Sequence, residues 1–268
     1  MKRSERNGFW LICVVLTFLT TVLVGGNVAV IAFRGMKSLP ECISNAETLF
    51  AIQLSIKSAC ISSLLCFLLA IPSAYTLTRT NFPCRSVIEI ILELTMSLPY
   101  IVLGLSMLII FSSPFGKALK AAGLPVVFSG NGIILAQLVV NLPFAVKLTS
   151  AAFRSVDQKL ERVAGLLGAT PGKCFFTILL PLSKNALISA LILVWSRALG
   201  EFGATLMLVG ITRMKTETLP ASIYLNVSTN NLSGALASAF ILMAISAVSL
   251  GIANRLTRAN RKQSRYEM

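Results

Sequence analysis

Six long apolar stretches constrain the fold of this chain more than any other feature of its sequence. Five of them contain no charged side chain, at residues 9–33, 58–78, 94–116, 121–146 and 218–254. The sixth stretch, 186–209, contains only Arg197 and Glu201 as charged residues. About 20 residues of α-helix cross a hydrocarbon core of roughly 30 Å, so the sequence predicts an all-α integral membrane protein with six transmembrane helices.

The composition also indicates a protein that folds in a bilayer. Charged residues make up 13% of the chain, whereas they make up about a quarter of a water-soluble protein. With a mean hydropathy of +0.80, this excludes a soluble enzyme and a disordered chain. A net charge of +14 on one basic face would indicate nucleic-acid binding, but here the charges are divided among short segments, so no nucleic-acid partner is expected.

The basic residues predict the orientation of the helices. Fifteen of the 24 Lys and Arg residues lie at the N-terminal end, near residue 80, in the long loop 153–185 and at the C-terminal end. The other three connections hold six. Because cytoplasmic connections of membrane proteins are enriched in Lys and Arg, we expect both termini and the 153–185 loop to lie in the cytoplasm.

The first apolar stretch has two interpretations, a signal peptide or an uncleaved anchor helix. It follows a basic start, but its 25 uncharged residues exceed the roughly 7 to 15 of a signal-peptide core, and no A-x-A site follows. We therefore predict an anchor helix with an outer loop over 1–48, a transmembrane domain over 49–254 and a basic cytoplasmic tail over 255–268.

The chain lacks the motifs for a cofactor or metal site of its own. It contains no G-x-x-x-x-G-K-[ST] phosphate loop, no histidine and no C-x-x-C pair. We therefore expect no metal ligands and no catalytic residues, and any energy source must be a partner or an ion gradient.

The 153–185 loop carries the most informative local pattern. Between Asp157 and Leu167, apolar residues recur at helical spacing, at Leu160, Val163, Ala164 and Leu167. Gly168 has the position of a C-terminal cap. Thr170 and Pro171 then have the positions of an N-cap and a first helical residue. The pattern predicts a short amphipathic helix that lies either on the lipid surface or in a groove of a partner protein.

The end of this loop resembles the coupling loop of the permease subunits of ATP-binding-cassette importers. The pattern of that loop is E-A-A, three residues, Gly, nine residues and I-x-L-P. Gly168, the nine residues 169–177, and then Ile178, Leu180 and Pro181 match its second part.

The first part of the pattern departs from the family. The positions of E, A and A fall on Arg162, Val163 and Ala164, and an acid, Glu161, stands one residue earlier. The resemblance implies that an ATPase is contacted by Glu161, Arg162, Val163, Ala164, Gly168, Pro171 and Pro181.

A second resemblance concerns residues 196–207 and 216–224, which look like the fifth core region of molybdate and tungstate permeases. Sulfate permeases share its Gly-Glu-Phe-Gly core, here Gly200 to Gly203. The resemblance implies a homodimer in the cell membrane, two ATPase subunits that hold ATP and Mg²⁺, and an external oxyanion-binding protein.

Intramembrane polar residues and prolines are candidates for lining or gating a pathway. Arg197 and Glu201 are four residues apart, so we predict an ion pair on one helix face, either structural or in contact with the anion. Ser97 and Asn141 each precede a proline, at a kink that lines a cavity or only aids packing. The full candidate set is Ser97, Pro99, Asn141, Arg197, Glu201, Gly203 and Thr205.

Three other functions stay open at this point. A sulfate-type importer permease shares part of the motif. An ATPase-independent secondary transporter would be favoured by inverted repeats and several ion-coupled charges. A membrane scaffold would use the 153–185 loop only to recruit a soluble partner.

Overall fold

The computed structural model describes the backbone of residues 3–266 and the side chains of 9–40 and 42–256. Within these residues the chain is helical, with no β-strand, which confirms the all-α prediction. The helices are α1 (Arg3–Cys42), α2 (Ala46–Arg79), α3 (Arg85–Ser97), α4 (Tyr100–Ser112), α5 (Pro114–Ala121), α6 (Gly130–Arg154), α7 (Gln158–Leu166), α8 (Pro171–Cys174), α9 (Leu180–Leu199), α10 (Gly203–Val209), α11 (Leu219–Ser228) and α12 (Leu232–Tyr266). A π-helical turn, Phe175–Leu179, joins α8 to α9.

Among the described residues, five helical segments are long and apolar enough to cross a membrane. They are Phe9–Pro40, Ala46–Arg79, Gly130–Arg154, Pro171–Leu199 and Leu232–Leu256. The sixth predicted span is a pair of helices, α3 and α4, bent by 109°. The prediction of six spans therefore agrees with the structure when this bent pair counts as one.

The bend between α3 and α4 corrects the predicted span over 94–116. Helix α3 already begins at Arg85, and the break falls at Leu98 and Pro99. Leu98 is extended, with ψ 142°, because the proline ring disfavours a helical conformation in the residue before it. The proline therefore ends one helix instead of kinking a continuous one.

Two other predicted spans are also divided. The stretch 186–209 is interrupted between Leu199 and Gly203, so α9 and α10 are separate helices. The stretch 218–254 is interrupted before Leu232, where Asn230 has a positive φ of 58°. At these breaks the side chains of Glu201 and Asn231 accept hydrogen bonds from the N–H groups of Ala204 and Gly234. Apolar composition alone therefore gave spans that were too long.

The centre of the fold is the packing of α2 against α6, with α9 beside both. Small residues allow the close approach of α2 and α6, and Ala70, Ala74 and Ala145 are fully buried there. Such contacts between small side chains are a main source of helix association in lipid.

Helix α1 lies apart from this centre and packs on α12. A Cβ added at Gly35 would lie 2.5 Å from the Cβ of Phe240, so glycine is needed for the contact. Most side chains of α1 are exposed, as lipid-facing residues of an anchor helix would be.

Candidate functional site

Helix α7 has the boundaries that its sequence predicts. The carboxylate of Asp157 accepts a hydrogen bond from the backbone N–H of Lys159 at 2.9 Å and caps the first turn. At the other end, the N–H groups of Gly168 and Ala169 donate to the carbonyls of Gly165 and Ala164, at 2.9 and 3.0 Å. Gly168 has a φ of +88°, so the predicted glycine cap is confirmed as a Schellman motif.

The chain then passes directly into a membrane helix. Thr170 accepts a hydrogen bond from the N–H of Lys173 at 3.3 Å, and Pro171 is the first helical residue, as predicted. Helix α8, the π-helical turn and α9 follow without a break, with Pro181 in the first turn of α9. The segment between α6 and this helix is therefore shorter than the predicted 153–185 loop. The Gly168 turn joins α7 to the continuous helix formed by α8, the π-helical turn and α9.

An ion pair fixes α7 to the helical bundle. The Nε of Arg79, at the end of α2, lies 2.8 Å from Oε1 of Glu161, and the two side chains are only 6% and 15% exposed. Arg79 also donates to the carbonyl oxygens of Phe153 and Val156, at 2.8 and 3.3 Å. Glu161, predicted to contact an ATPase, is thus engaged within the chain.

Sequence reasoning missed Arg79 because it assigned this residue only to the orientation signal. Arg79 is the last residue of α2, and this position next to a predicted cytoplasmic loop was the only sequence indication that it could contact another cytoplasmic segment. The distance of 82 residues from Glu161 gives no local pattern that would predict the pair.

The other side of α7 presents apolar side chains to solvent. Leu166 and Leu167 are 88% and 84% exposed, and Leu160 and Val163 are about half exposed. Arg162 is exposed beside them, whereas Ala164 is half-buried towards the bundle. A compact apolar patch of this kind on a capped helix is typical of an interaction surface.

The predicted pair of Arg197 and Glu201 is not formed between these two described side chains. Helix α9 ends at Leu199, so Glu201 lies beyond the helix and the four-residue spacing no longer places both on one face. Glu201 is 4% exposed and accepts a hydrogen bond from the N–H of Ala204 at 2.8 Å, which caps α10.

Arg197 has aromatic partners that the sequence analysis did not identify. Its guanidinium donates to the hydroxyl of Tyr100, the first residue of α4, and lies 4.7 Å from the ring centroid of Phe144 on α6. A cation above an aromatic face is attracted by the quadrupole of the ring. Arg197 therefore connects three helices at the point where α4 begins and α9 ends.

Gly203 belongs to the contact between α10 and α4. A Cβ added at Gly203 would lie 3.3 Å from the backbone nitrogen of Ile101. On the opposite helix, a Cβ added at Gly104 would lie 2.7 Å from the Cα of Ala204. The two glycines permit close packing beside Arg197. Thr205, also on α10, is 3% exposed.

Ser97, Pro99 and Asn141 have separate positions. Ser97 is exposed and donates to the carbonyl of Glu93 in its own helix, next to the break at Pro99. Asn141 is buried and donates to the carbonyl of Gln137 at 2.8 Å. Pro143 lies inside α6 without ending it. The structure therefore does not unite the predicted pathway residues in one cluster.

A buried polar centre lies one turn before Asn141 and was also missed. The Oε1 of Gln137 accepts from Ser62, and its Nε2 donates to Ser58 and to the carbonyl of Ala198. Gln137 stands four residues before Asn141, and two polar residues at helical spacing in an apolar stretch were the signal for it.

A family model for the inner membrane component of binding-protein-dependent transport systems matches residues 66–262. The chain belongs to this family. Its members are permease subunits of ATP-binding-cassette importers in the inner cell membrane, which confirms the predicted class and location. This membership decides against a secondary transporter and a scaffold.

Curated relatives cover most of this permease. The molybdenum transport system permease protein ModB of Escherichia coli K12 is 34% identical over 218 residues, covering 80% of this chain and 95% of the relative. A probable sulfate transport system permease protein, cysT, of Nephroselmis olivacea is 27% identical over 267 residues, covering 98% and 93%.

A solved structure supports the fold. The bacterial alginate ABC transporter, in complex with its alginate pentasaccharide-bound periplasmic protein, contains a chain with a TM-score of 0.70 at 16% identity. The match covers 96% of both chains. The two chains therefore share their fold.

Proposed function

We propose that this permease imports molybdate and tungstate. The observation that carries the proposal is the 34% identity to a molybdenum permease over 95% of that protein. Residues 196–207 and 216–224, which resemble the fifth core region of such permeases, support the same substrate class.

We further propose that α7 docks in a groove of an ATPase, which holds the ATP and Mg²⁺. The exposed Leu166 and Leu167 would enter the groove, and the Arg79–Glu161 pair would keep α7 in place on α2. Movement of the ATPase would reach the membrane through the Gly168 turn, α8 and α9. This accounts for a short helix that is anchored on one side and apolar on the other.

The proposed complex contains two copies of this chain, two ATPase subunits and an external oxyanion-binding protein. Both termini and α7 lie on the cytoplasmic side in this arrangement. With the native cysteines removed, cysteine at Ser38 or Ser228 should react with an impermeant thiol reagent in intact cells, and cysteine at Ser155 should not. The reverse pattern would contradict the orientation.

Within the membrane we propose Arg197 as the residue that meets the anion. Among the described side chains it forms no ion pair with Glu201, and its aromatic partners hold the guanidinium without cancelling its charge. Arg197→Lys keeps the charge but loses the planar donor geometry that suits oxyanions, so it should weaken uptake less than Arg197→Gln does.

Uptake of radiolabelled molybdate tests the substrate. Vesicles containing the permease, its ATPase and its binding protein should accumulate molybdate only with ATP, and tungstate should compete. The sulfate relative, which aligns over 98% of the chain, favours sulfate as the second candidate. Competition by sulfate but not by tungstate would support that candidate and reject ours.

A further inference from the structure

An apolar groove of about 450 Å³ runs between α9 and α12 on the surface of the bundle. Its walls are formed by Ile192, Trp195, Ala244, Ile245, Val248, Ser249 and Ile252. Val248 and Ile252 are 65% and 49% exposed, so the groove opens outwards. In a protein of the cell membrane, this surface meets lipid.

The polar atoms of the groove are already engaged within the protein. The hydroxyl of Ser249 donates to the carbonyl of Ile245 at 2.6 Å. The indole N–H of Trp195 donates to Sγ of Cys60 at 3.2 Å. The groove therefore offers no polar group to a ligand, and hydrocarbon is the chemistry that fits it.

Each wall of the groove has a basic residue at one end of an apolar stripe. On α9 the spacing of four, four and three residues places one face along Lys184, Ile188, Ile192 and Trp195. On α12 the spacing of three, four and three places one face along Ile245, Val248, Ile252 and Arg255.

The two basic residues lie at the same end because the helices are antiparallel. Trp195 and Ile245 both pack against the buried cluster of Ala59, Ala198 and Leu199, whereas Ser189 donates to the carbonyl of Ala253 at 3.3 Å. Earlier residues of α9 thus meet later residues of α12. This register places Lys184 and Arg255 at the same end of the groove, near the beginning of α9.

The charges at this end are available to a ligand. Lys184 and Arg255 are exposed, and neither forms an ion pair with another described side chain. From Lys184 to Trp195 the helix rises about 16 Å, which is about half of a hydrocarbon core of roughly 30 Å. The stripe therefore has the length of one leaflet.

We propose that this groove binds an anionic phospholipid, with one acyl chain along Ile192 and Trp195 and the phosphate between Lys184 and Arg255. The acyl chain of such a lipid accounts for the hydrocarbon lining of the groove, and its phosphate accounts for the two basic residues at one end. An anionic lipid is favoured over a zwitterionic one because no described carboxylate accompanies the two cations.

Trp195 provides a direct reporter of occupancy. The chain has two tryptophans, so Trp10→Phe leaves Trp195 alone. The purified full chain is placed in two preparations of phosphatidylcholine vesicles. One contains a small fraction of brominated phosphatidylglycerol, and the other contains the same fraction of brominated phosphatidylcholine. We expect brominated phosphatidylglycerol to quench Trp195 fluorescence about twofold more, or better, than brominated phosphatidylcholine.

Variants separate the charge from the groove. Lys184→Gln with Arg255→Gln should make the two lipids quench equally, and Ala244→Phe, which fills the groove, should reduce quenching by both. Lys117→Gln with Lys120→Gln, on α5, is the matched control and should leave the preference for phosphatidylglycerol intact.

Equal quenching in the parent, or a preference that survives the loss of Lys184 and Arg255, would overturn the proposal. Trp195 shielded from both lipids would also overturn it, because a second copy of the chain would then cover the groove.

Discussion

The α7 segment 157–181 and the region 197–209 each contain a helix end, a glycine and a glutamate, yet these residues act differently in the two places. Glu161 forms an ion pair with Arg79 from another helix, while Glu201 forms no ion pair with the described side chain of Arg197 and caps α10. Gly168 has a φ of +88°, whereas Gly200 has a φ of −86° that any residue can adopt. In the first region an ion pair fixes a helix to the bundle, and in the second a break between two helices lies beside a close helix contact.

The difference teaches which sequence signals are reliable here. Capping signals act within a few residues, so the ends of α7 follow from the sequence. Opposite charges four residues apart predict a pair only if the helix continues through both, and α9 does not. Three predictions test this comparison, in order of decreasing effect on stability.

The largest effect is expected at Arg79. Arg79→Met leaves Glu161 unpaired in a place where both side chains are largely buried, and breaking such a pair costs about 3 to 5 kcal/mol. Arg85→Met is the matched control, because the Arg85–Glu89 pair is exposed and four residues apart in one helix. Its loss should cost about 0.5 kcal/mol or less. Thermal unfolding of the purified chains measures both, and equal losses would refute the anchoring role of Arg79.

The next effect is expected at Gly168. Gly168→Ala places a Cβ on a left-handed residue and should cost about 1 to 2 kcal/mol. Gly165→Ala, inside α7 with no atom within 4 Å of the added Cβ, should instead stabilise by up to about 1 kcal/mol. Gly200→Ala, in the second region, should change little because its nearest atom is 3.7 Å away. Unfolding of the three variants under one condition compares them, and a cost at Gly200 that matches the cost at Gly168 would remove the distinction.

A smaller effect is expected at Glu201. Glu201→Ala removes the acceptor for the N–H of Ala204 and should cost about 1 kcal/mol, as the loss of a helix cap does. Glu201→Gln keeps an acceptor oxygen and should cost less. If Glu201 instead neutralised Arg197, the glutamine variant would be destabilised as strongly as the alanine variant in the same unfolding assay.

Much of the fold was predictable because lipid imposes simple rules on apolar length, and these gave the all-helical class and the approximate spans. The break at Leu98 has a local cause, the following proline, although Pro99 was interpreted as a kink within one span. The break at Gly200 has no such local signal and lies beside the close contact of α4 with α10. In the site, the cap at Gly168 and the helix start at Pro171 were predicted from local chemistry. The Arg79–Glu161 pair and the contacts of Gln137 join residues more than 60 positions apart, and no local pattern encodes them.

The central claim, that the exposed face of α7 couples this permease to an ATPase, is tested most directly by Leu166→Ser with Leu167→Ser. These side chains are 88% and 84% exposed, so the free energy of unfolding should change by about 0.5 kcal/mol or less. Leu124→Ser, at a leucine 57% exposed in the connection between α5 and α6, is the matched control. The measurement is ATP-driven molybdate uptake and ATPase co-purification from the same membranes. The account predicts that the double variant inserts normally but loses both, while the control keeps both. A double variant that binds the ATPase and transports at the parent rate would contradict it.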